Sequence, residues 1–267
     1  MLAFYHHRTS CCAVKSRLCL NEKGLAYEGC ILDLRAGDQF RPEYLRLNPN
    51  GLVPTLVHDG AAVYESTVIN EYLDDAFPDP PLRPKDAHAL ARMRIWTRKP
   101  DEGGHAACGA FGFALSHRHL FRDKSPEAIE AHLAQVRDPA QRERQRQSIG
   151  LGLDAPQVID AARLWERTMG EMEVALSGAP WLAGEEYSLA DIALTPYITR
   201  LDDMGMAAFW RRRPRVADWY ARIRARPSHR RTIYDEGNSE VFELLRKNSE
   251  AERGKIDALL DLVVGTG

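Results

Sequence analysis

The run Asn48-Pro49-Asn50-Gly51-Leu52-Val53-Pro54-Thr55-Leu56, followed by Glu65-Ser66, is where the residue types of this chain can do chemistry. Val53-Pro54 stands where a loop enters a strand, and an X-Pro bond in such a place is often cis. A cis bond there turns the backbone N–H and C=O of Val53 outward, ready to pair with an extended peptide as an added strand would. Glu65-Ser66 opens a helical pattern in which Ser66 serves as the cap. The N–H groups of a helix start that lack intrahelical partners attract a carboxylate. A peptide-binding edge and an anion seat are therefore expected side by side. A second segment, Thr9-Ser10-Cys11-Cys12-Ala13, begins the first predicted helix. Ser10 can cap it, and a cysteine in its first turn is acidified by the helix terminus.

These groups need a scaffold, and the pattern supplies one. Residues 1–78 read as β-α-β-α-β-β-α. Leu2–Tyr5 is a short apolar strand, a helix runs from Ser10 to Gly24, and Tyr27–Leu32 is the next strand. Pro42–Leu47 is a helical turn. Thr55–His58 and Ala61–Val63 flank Asp59-Gly60, a hairpin signal, and Ser66–Phe77 is the last helix of this half. Pro78-Asp79-Pro80-Pro81-Leu82-Arg83-Pro84 is a stiff, poorly helical connector. Beyond it the pattern is helical only: Asp86–Thr97, resuming past Pro100 to His119, then Pro126–Val136, Val158–Ala175, a helix opened by Ser188-Leu189-Ala190-Asp191, Pro214–Arg226, Pro227–Tyr234, and Ser239–Val264 with a break near Gly254. Asp138–Gln157 is polar and Arg-rich and is expected as a mobile excursion. Ser188 and Asp191 form a capping-box variant. The expected division is 1–78, a linker at 79–85, and an all-helical domain at 86–267.

The chain has 267 residues and a formal net charge of -2. That balance points to neither nucleic acid nor an anionic membrane as partner. No apolar run reaches the length of a membrane span. The N-terminus MLAFYHHRTSCC lacks the apolar core of a secretion signal. The five cysteines, Cys11, Cys12, Cys19, Cys30 and Cys108, have no zinc-site spacing and read as reduced cytoplasmic thiols. Cys19 and Cys30 read as buried small hydrophobes. His6, His7, His105, His117 and His119 form no metal set, so no metal is expected.

The pattern resembles the cytosolic glutathione transferases over most of the chain. The matching pieces are Glu22-Lys23-Gly24-Leu25, the Asn48–Leu56 run, Glu65-Ser66-Thr67, Glu71-Tyr72-Leu73, the proline linker and Tyr187-Ser188-Leu189-Ala190-Asp191. The stretch from Glu71 to Thr97 looks closest to the bacterial branch that contains glutathione-dependent β-etherases. The resemblance implies a thioredoxin-like α/β N-terminal domain, an all-α C-terminal domain, glutathione as cosubstrate and a homodimer. It implies that Val53 pairs with the cysteinyl unit, Pro54 is the cis-proline, Glu65 and Ser66 hold the γ-glutamyl amine and carboxylate, and Arg41 reaches the glycyl carboxylate. Ser10 falls where serine-type members keep the activating hydroxyl and cysteine-type members the reactive thiol. Its hydroxyl would stabilise the glutathione thiolate, which attacks a small hydrophobic electrophile such as an aromatic ether. Ala13 stands near the place where the β-etherase branch is expected to carry its polar activating residue, a departure from that branch. Tyr5–Arg8 and the helix near His105 to Phe113 would form the acceptor side, with His105, Cys108, Phe111 and Phe113 lining an apolar pocket or, as their helical spacing equally allows, belonging to the core. Two alternatives accompany this reading: thiol–disulfide exchange or reductive lysis through Cys11 or Cys12, and a non-catalytic binding protein of the same fold.

Overall fold

Alternate residues of Leu2–His6 (β1) are buried, as expected of a strand with one face on a core. The computed structural model describes residues 1–134, 136, 138–237 and 239–264. The helical expectations that fall on residues 135, 137, 238 and 265–267 lie outside the described residues. β1 pairs in parallel with β2 (Glu28–Ile31) and antiparallel with β3 (Thr55–His58), which pairs antiparallel with β4 (Ala61–Tyr64). The sheet is four-stranded, in the order β2-β1-β3-β4. The β3–β4 turn falls on Asp59 and Gly60, with φ of 48° and 86°, the left-handed pair that a two-residue hairpin requires. In this half the helices are α1 (Cys11–Glu22), α2 (Pro42–Leu45) and α3 (Ser66–Ala76).

No further strand follows among the described residues, only a bridge between Trp181 and Gly184. The remaining helices are α4 (Ala87–Arg98), α5 (His105–Leu115), α6 (Pro126–Leu133), α7 (Pro139–Leu151), α8 (Pro156–Ala175), α9 (Leu189–Asp203), α10 (Ala208–Arg211), α11 (Pro214–Ala225), α12 (Pro227–Arg230), α13 (Ser239–Ala251) and α14 (Arg253–Val264). The family fold expected from the motifs is thus present: a small mixed sheet first, helices after it. Among the described residues, no helix is long and apolar enough to cross a membrane.

Caps and prolines set many of these boundaries. The Asp86 carboxylate accepts from Ala89 N at 2.8 Å, and Ser125 Oγ accepts from Ala128 N at 3.3 Å. Pro100 ends the regular helix as expected, with Gly103 at φ 135° before α5. The expectation for Asp138–Gln157 is corrected, because most of it is α7. Asp138 caps that helix through Ala140 N at 3.0 Å, Pro139 occupies its first turn, and Arg146 bridges Glu130 and Glu143, both at 2.7 Å. These local interactions support a helix that carries no apolar stripe.

The chain divides into two compact units. The first comprises Met1–Pro100, Ala175–Pro196 and Asp218–Ser239; the second comprises Asp101–Val174, Tyr197–Ala217 and the described residues from Glu240 onward. In the first unit, Phe4, Leu18, Leu20, Leu56, Ile69 and Leu73 are buried. The proline connector is pinned there: buried Lys23 pairs with Asp74 at 2.7 Å and donates to the carbonyls of Phe77 and Pro80. Asp191 is also buried in this unit. Its carboxylate accepts from Leu182 N, Ser188 N, Ser188 Oγ and Trp219 Nε1, at 3.0–3.3 Å for the first three and 2.8 Å for the indole. Ser188 Oγ in turn accepts from Ala190 N at 3.3 Å, so the expected capping box is present. In the second unit Phe111, Trp165, Tyr197, Leu201 and Phe209 are core residues, and Arg213 holds Glu166 with two nitrogens.

Candidate functional site

Three segments of the first unit carry the predicted residues. The turn before β3 is fixed from below. Buried Asn48 accepts from Asn50 N at 3.1 Å and donates to Leu52 O at 2.9 Å. The buried Tyr44 hydroxyl donates to Leu52 O and shares a 2.8 Å bond with Thr55 Oγ1. Gly51 has φ of 61°, and a Cβ there would meet the Phe40 ring at 3.0 Å and Gln39 O at 3.3 Å, so no other residue fits without movement. The Val53-Pro54 bond is cis. Leu52 O is already bonded, whereas among the described residues the backbone of Val53 enters no hydrogen bond, either within the sheet or with a side chain. That backbone can receive an extended ligand.

The second segment is the start of α3, where the expectation is corrected. Ser66 does not cap the helix. Glu65 occupies the cap position, with φ of 67° and no side-chain cap bond, and Ser66 is the first helical residue and is buried. Glu65 O accepts the first helical bond from Ile69 N at 2.8 Å. A non-glycine residue in this conformation costs roughly 1–3 kcal/mol and tends to occur at ligand sites. The twist leaves the Glu65 side chain exposed, where Asn50 Nδ2 reaches it at 3.5 Å. The turn holding Val53 and the α3 start holding Ser66 are thereby joined. The first N–H groups of α3 have no intrahelical partners and can meet an anion.

The third segment is the start of α1. Ser10 is its cap, half-buried, and its Oγ accepts from Ala13 N at 3.4 Å. Ser10 N donates to His7 O at 3.2 Å, and Thr9 Oγ1 lies 3.1 Å from His7 Nδ1. Burial lowers the pKa of the His7 imidazole, so it is neutral at physiological pH. Cys11 is buried at 7% exposure, while Cys12 is half-buried. Ala13 is fully buried, and its methyl group offers no hydrogen-bond donor. α1 and α3 pack on each other, with Ser16 Oγ donating to Ser66 O at 3.4 Å and Lys15 Nζ to Thr67 Oγ1 at 2.8 Å. Neither Lys15 nor Ser16 stood out in the sequence; the available signal was the polar run Lys15-Ser16-Arg17 in the middle of the first helical pattern.

Arg41 stands apart from this group. It precedes α2, is 67% exposed, and pairs with Asp38 at 2.8 Å. It is tied to the turn through its neighbour Phe40, whose ring lies against Gly51.

The acceptor-side expectations are partly corrected. Phe111 and Cys108 belong to the core of the second unit. His105 packs edge-on to Tyr197, whose hydroxyl is 3.4 Å from His105 Nδ1. Phe113 does line a cavity of about 360 Å³, with Ala106, Ala110, Ala161 and Leu164 as apolar walls. α5 is apolar all round, so its periodicity could not separate Phe111 from Phe113. His6 and Arg8 line a different, polar cavity of about 420 Å³ with Arg17 and Tyr27. Burial pushes the His6 pKa down to about 4. Cys30 is half-buried rather than buried. All five cysteines are thiols, and among the described residues no group of His, Cys, Asp or Glu side chains is arranged to hold a metal.

Comparison with known proteins matches this geometry to a family. Residues 9–76 match the glutathione S-transferase N-terminal domain, and residues 126–222 match the glutathione S-transferase C-terminal domain. Protein LigF of Sphingobium sp. is 31% identical over 247 residues, spanning 89% of this chain and 94% of LigF. The chain belongs to the glutathione S-transferase family. The crystal structure of β-etherase LigF superposes with a TM-score of 0.74, covering 88% of this chain and 99% of that one. Tetrachloro-p-hydroquinone reductive dehalogenase of Sphingobium chlorophenolicum is 26% identical over 243 residues, spanning 85% of this chain and 93% of the dehalogenase. As a glutathione S-transferase the protein is an enzyme, and glutathione is its cosubstrate. The alternative of a non-catalytic binding protein falls with that assignment.

Proposed function

We propose a serine-type glutathione transferase in which Ser10 activates the cosubstrate thiol. The observation that carries this reading is the half-buried Ser10 hydroxyl at the cap of α1, on the helix that packs against the Ser66 end of α3. In this reading the Val53 backbone pairs with the cysteinyl unit of glutathione, with cis-Pro54 shaping the edge. Ser66 and the α3 N–H groups receive the γ-glutamyl carboxylate, Glu65 receives the amine, and Arg41 turns from Asp38 to the glycyl carboxylate. Residues 1–78 form the thioredoxin-like domain, 79–85 the linker and 86–267 the helical domain.

The chemistry follows from the thiol's pKa. An unperturbed thiol is mostly protonated at neutral pH. The Ser10 O–H and the positive end of α1 both favour the thiolate. The thiolate sulfur attacks an electrophilic carbon of a small hydrophobic substrate; a carbon–sulfur bond forms, and the bond to the leaving group breaks with its electron pair. An aromatic ether is one such substrate, and the similarity to LigF supports it, while the buried Ala13 weighs against activation from that position. A chromogenic chloronitroarene should be consumed with formation of the glutathione conjugate and release of chloride. Absence of conjugate, with glutathione binding intact, would overturn this reading.

A second reading draws on Cys12, which is half-buried in the first turn of α1 where a thiol is acidified. Attack by Cys12 on oxidised glutathione would give a mixed disulfide and release one glutathione thiol. Intact mass after incubation with oxidised glutathione tests it. Under the transferase reading, Cys12→Ser conjugates the chloronitroarene at nearly the wild-type rate.

Membership of the family supports a cytoplasmic homodimer acting on small molecules. Light scattering at micromolar concentration should give twice the chain mass of 30.1 kDa; a monomer would refute the dimer.

A further inference from the structure

Arg17 lies midway along α1 with 1% of its surface exposed. A buried charge is ordinarily paired with an opposite one. This guanidinium is held by carbonyl oxygens instead: Nη1 donates to Glu236 O at 3.2 Å, and Nη2 to Arg8 O at 2.8 Å and Thr232 O at 3.5 Å. Its Nε–H meets no acceptor among the described residues. Arg8 Nη1 donates to the same Glu236 O at 3.1 Å, so two guanidiniums converge on one neutral oxygen. The Glu236 carboxylate is engaged elsewhere, accepting from Asn21 Nδ2 at 3.2 Å, the Tyr27 hydroxyl at 3.4 Å and Arg231 Nε at 3.0 Å. Among the described residues, Arg8 bonds through Nη1 alone and Arg231 through Nε alone, which leaves the rest of each fork to a ligand.

Arg8, Arg17 and Arg231 line the polar cavity of about 420 Å³ together with Asp235 and Glu236, so three cations face two anions there. Burial, with the Arg17 and Arg8 charges, lowers the His6 pKa to about 4, and its neutral imidazole adds no charge. The rest of the wall is the His6 and Tyr27 rings with Ala26, Gly29 and Ile31. The Phe4 ring stacks on His6 at 5.1 Å and meets Tyr27 edge-on at 5.7 Å, which fixes both rings. Neither Ser10 nor Val53, Glu65 or Ser66 lines this cavity.

We propose that the cavity binds a small aromatic carboxylate at a site separate from the glutathione seat. The Arg8 and Arg231 guanidiniums take the carboxylate, whose two oxygens match the planar fork of arginine. Arg17 holds Arg8 from behind through Arg8 O and adds fixed positive charge. The ligand's ring lies against His6, Tyr27 and Ile31. A single positive charge in excess suits a monoanion.

Calorimetric titration with benzoate and with its neutral isostere benzamide tests this. Wild type should bind benzoate saturably and benzamide about tenfold more weakly, the scale of one hydrogen bond to a charged group. Arg8→Gln and Arg231→Gln should each weaken benzoate binding about tenfold and leave benzamide unchanged, a split that lost packing would not produce. The Arg231 side chain is 59% exposed, so Arg231→Gln carries the test if Arg8→Gln does not fold. A Cβ at Gly29 would lie 3.5 Å from His6 Nε2 and 3.9 Å from the Tyr27 ring, both ordinary contacts, so Gly29→Leu can fill the cavity. That variant should lose benzoate binding and keep the wild-type Kd for glutathione. Benzoate should bind wild type equally well at saturating glutathione. Absence of saturable benzoate binding, equal affinity for benzoate and benzamide, or benzoate affinity unaltered in both arginine variants would overturn the carboxylate site. Loss of benzoate binding at saturating glutathione would overturn its separateness.

Discussion

Ser10→Ala should lower turnover with a generic electrophile by on the order of 10²–10³, the loss expected when one preorganised donor to developing charge is removed. The helix end remains and still favours the thiolate, which sets the lower part of that range as the expectation. Glutathione affinity should stay close to wild type, because in the proposed reading the tripeptide is held by Val53, Glu65 and Ser66 rather than by its sulfur. The sign of the pH effect follows directly. A donor that stabilises the thiolate lowers the thiol pKa, so its removal raises that pKa and moves the rising limb of the rate profile to higher pH. Raising the pH should therefore recover part of the lost rate. Packing of the variant should hold, since the Ser10 Oγ bond to Ala13 N is long at 3.4 Å and the cap contributes about 1 kcal/mol. Cys11→Ala and Cys12→Ala should by contrast turn over at nearly the wild-type rate. A Ser10→Ala enzyme of undiminished activity beside an inactive Cys12→Ala would transfer the chemistry to the thiol.

Asp191→Ala should destabilise the protein by roughly 3–5 kcal/mol, because it leaves several buried donors without acceptors, each worth about 1–3 kcal/mol and not fully additive. Those donors are Leu182 N, Ser188 N and Trp219 Nε1, around a carboxylate with 0% exposure. Urea denaturation of the two proteins gives the number. Its pH dependence carries a second signature. Burial raises the Asp191 pKa to about 6 although Trp219, Leu182 and Ser188 all donate to it. The unfolded value is near 3.9. The folded form thus holds the proton more tightly, so this group's contribution to stability is fully present below about pH 4 and is lost as pH rises through about 6. The wild type should therefore exceed Asp191→Ala by more at pH 4 than at pH 7. A stability difference that does not change with pH would mean that the four donors hold the carboxylate ionised throughout.

The local sequence determined the features that act over a few residues. Asp59-Gly60 dictated the β3–β4 hairpin because its left-handed pair of φ angles suits few other residues. Ser10, Asp86 and Ser188 announced their helix starts because a side-chain oxygen reaches a backbone N–H within the same turn. The run from Asn48 to Pro54 foretold a shaped turn, since Gly51 and Pro54 restrict the backbone wherever they stand. The order of these motifs identified the family.

Tertiary structure decided the rest. No periodicity places Lys15 beneath Thr67, because that contact depends on how α1 packs on α3, and α1 is buried on nearly all sides. Ser66 proved to be the first helical residue rather than the cap because Glu65, on leaving β4, adopts the left-handed turn instead. Phe111 went to the core and Phe113 to a cavity wall because α5 has no polar face to orient it, so only its neighbours chose. Asp191 was legible as a cap, but its bond to Trp219 spans 28 residues and exists only because two helices bring the pair together. Caps and turns are satisfied within one turn of chain and can be read from it, whereas a buried charge or a pocket wall is satisfied by residues that only the folded chain brings near.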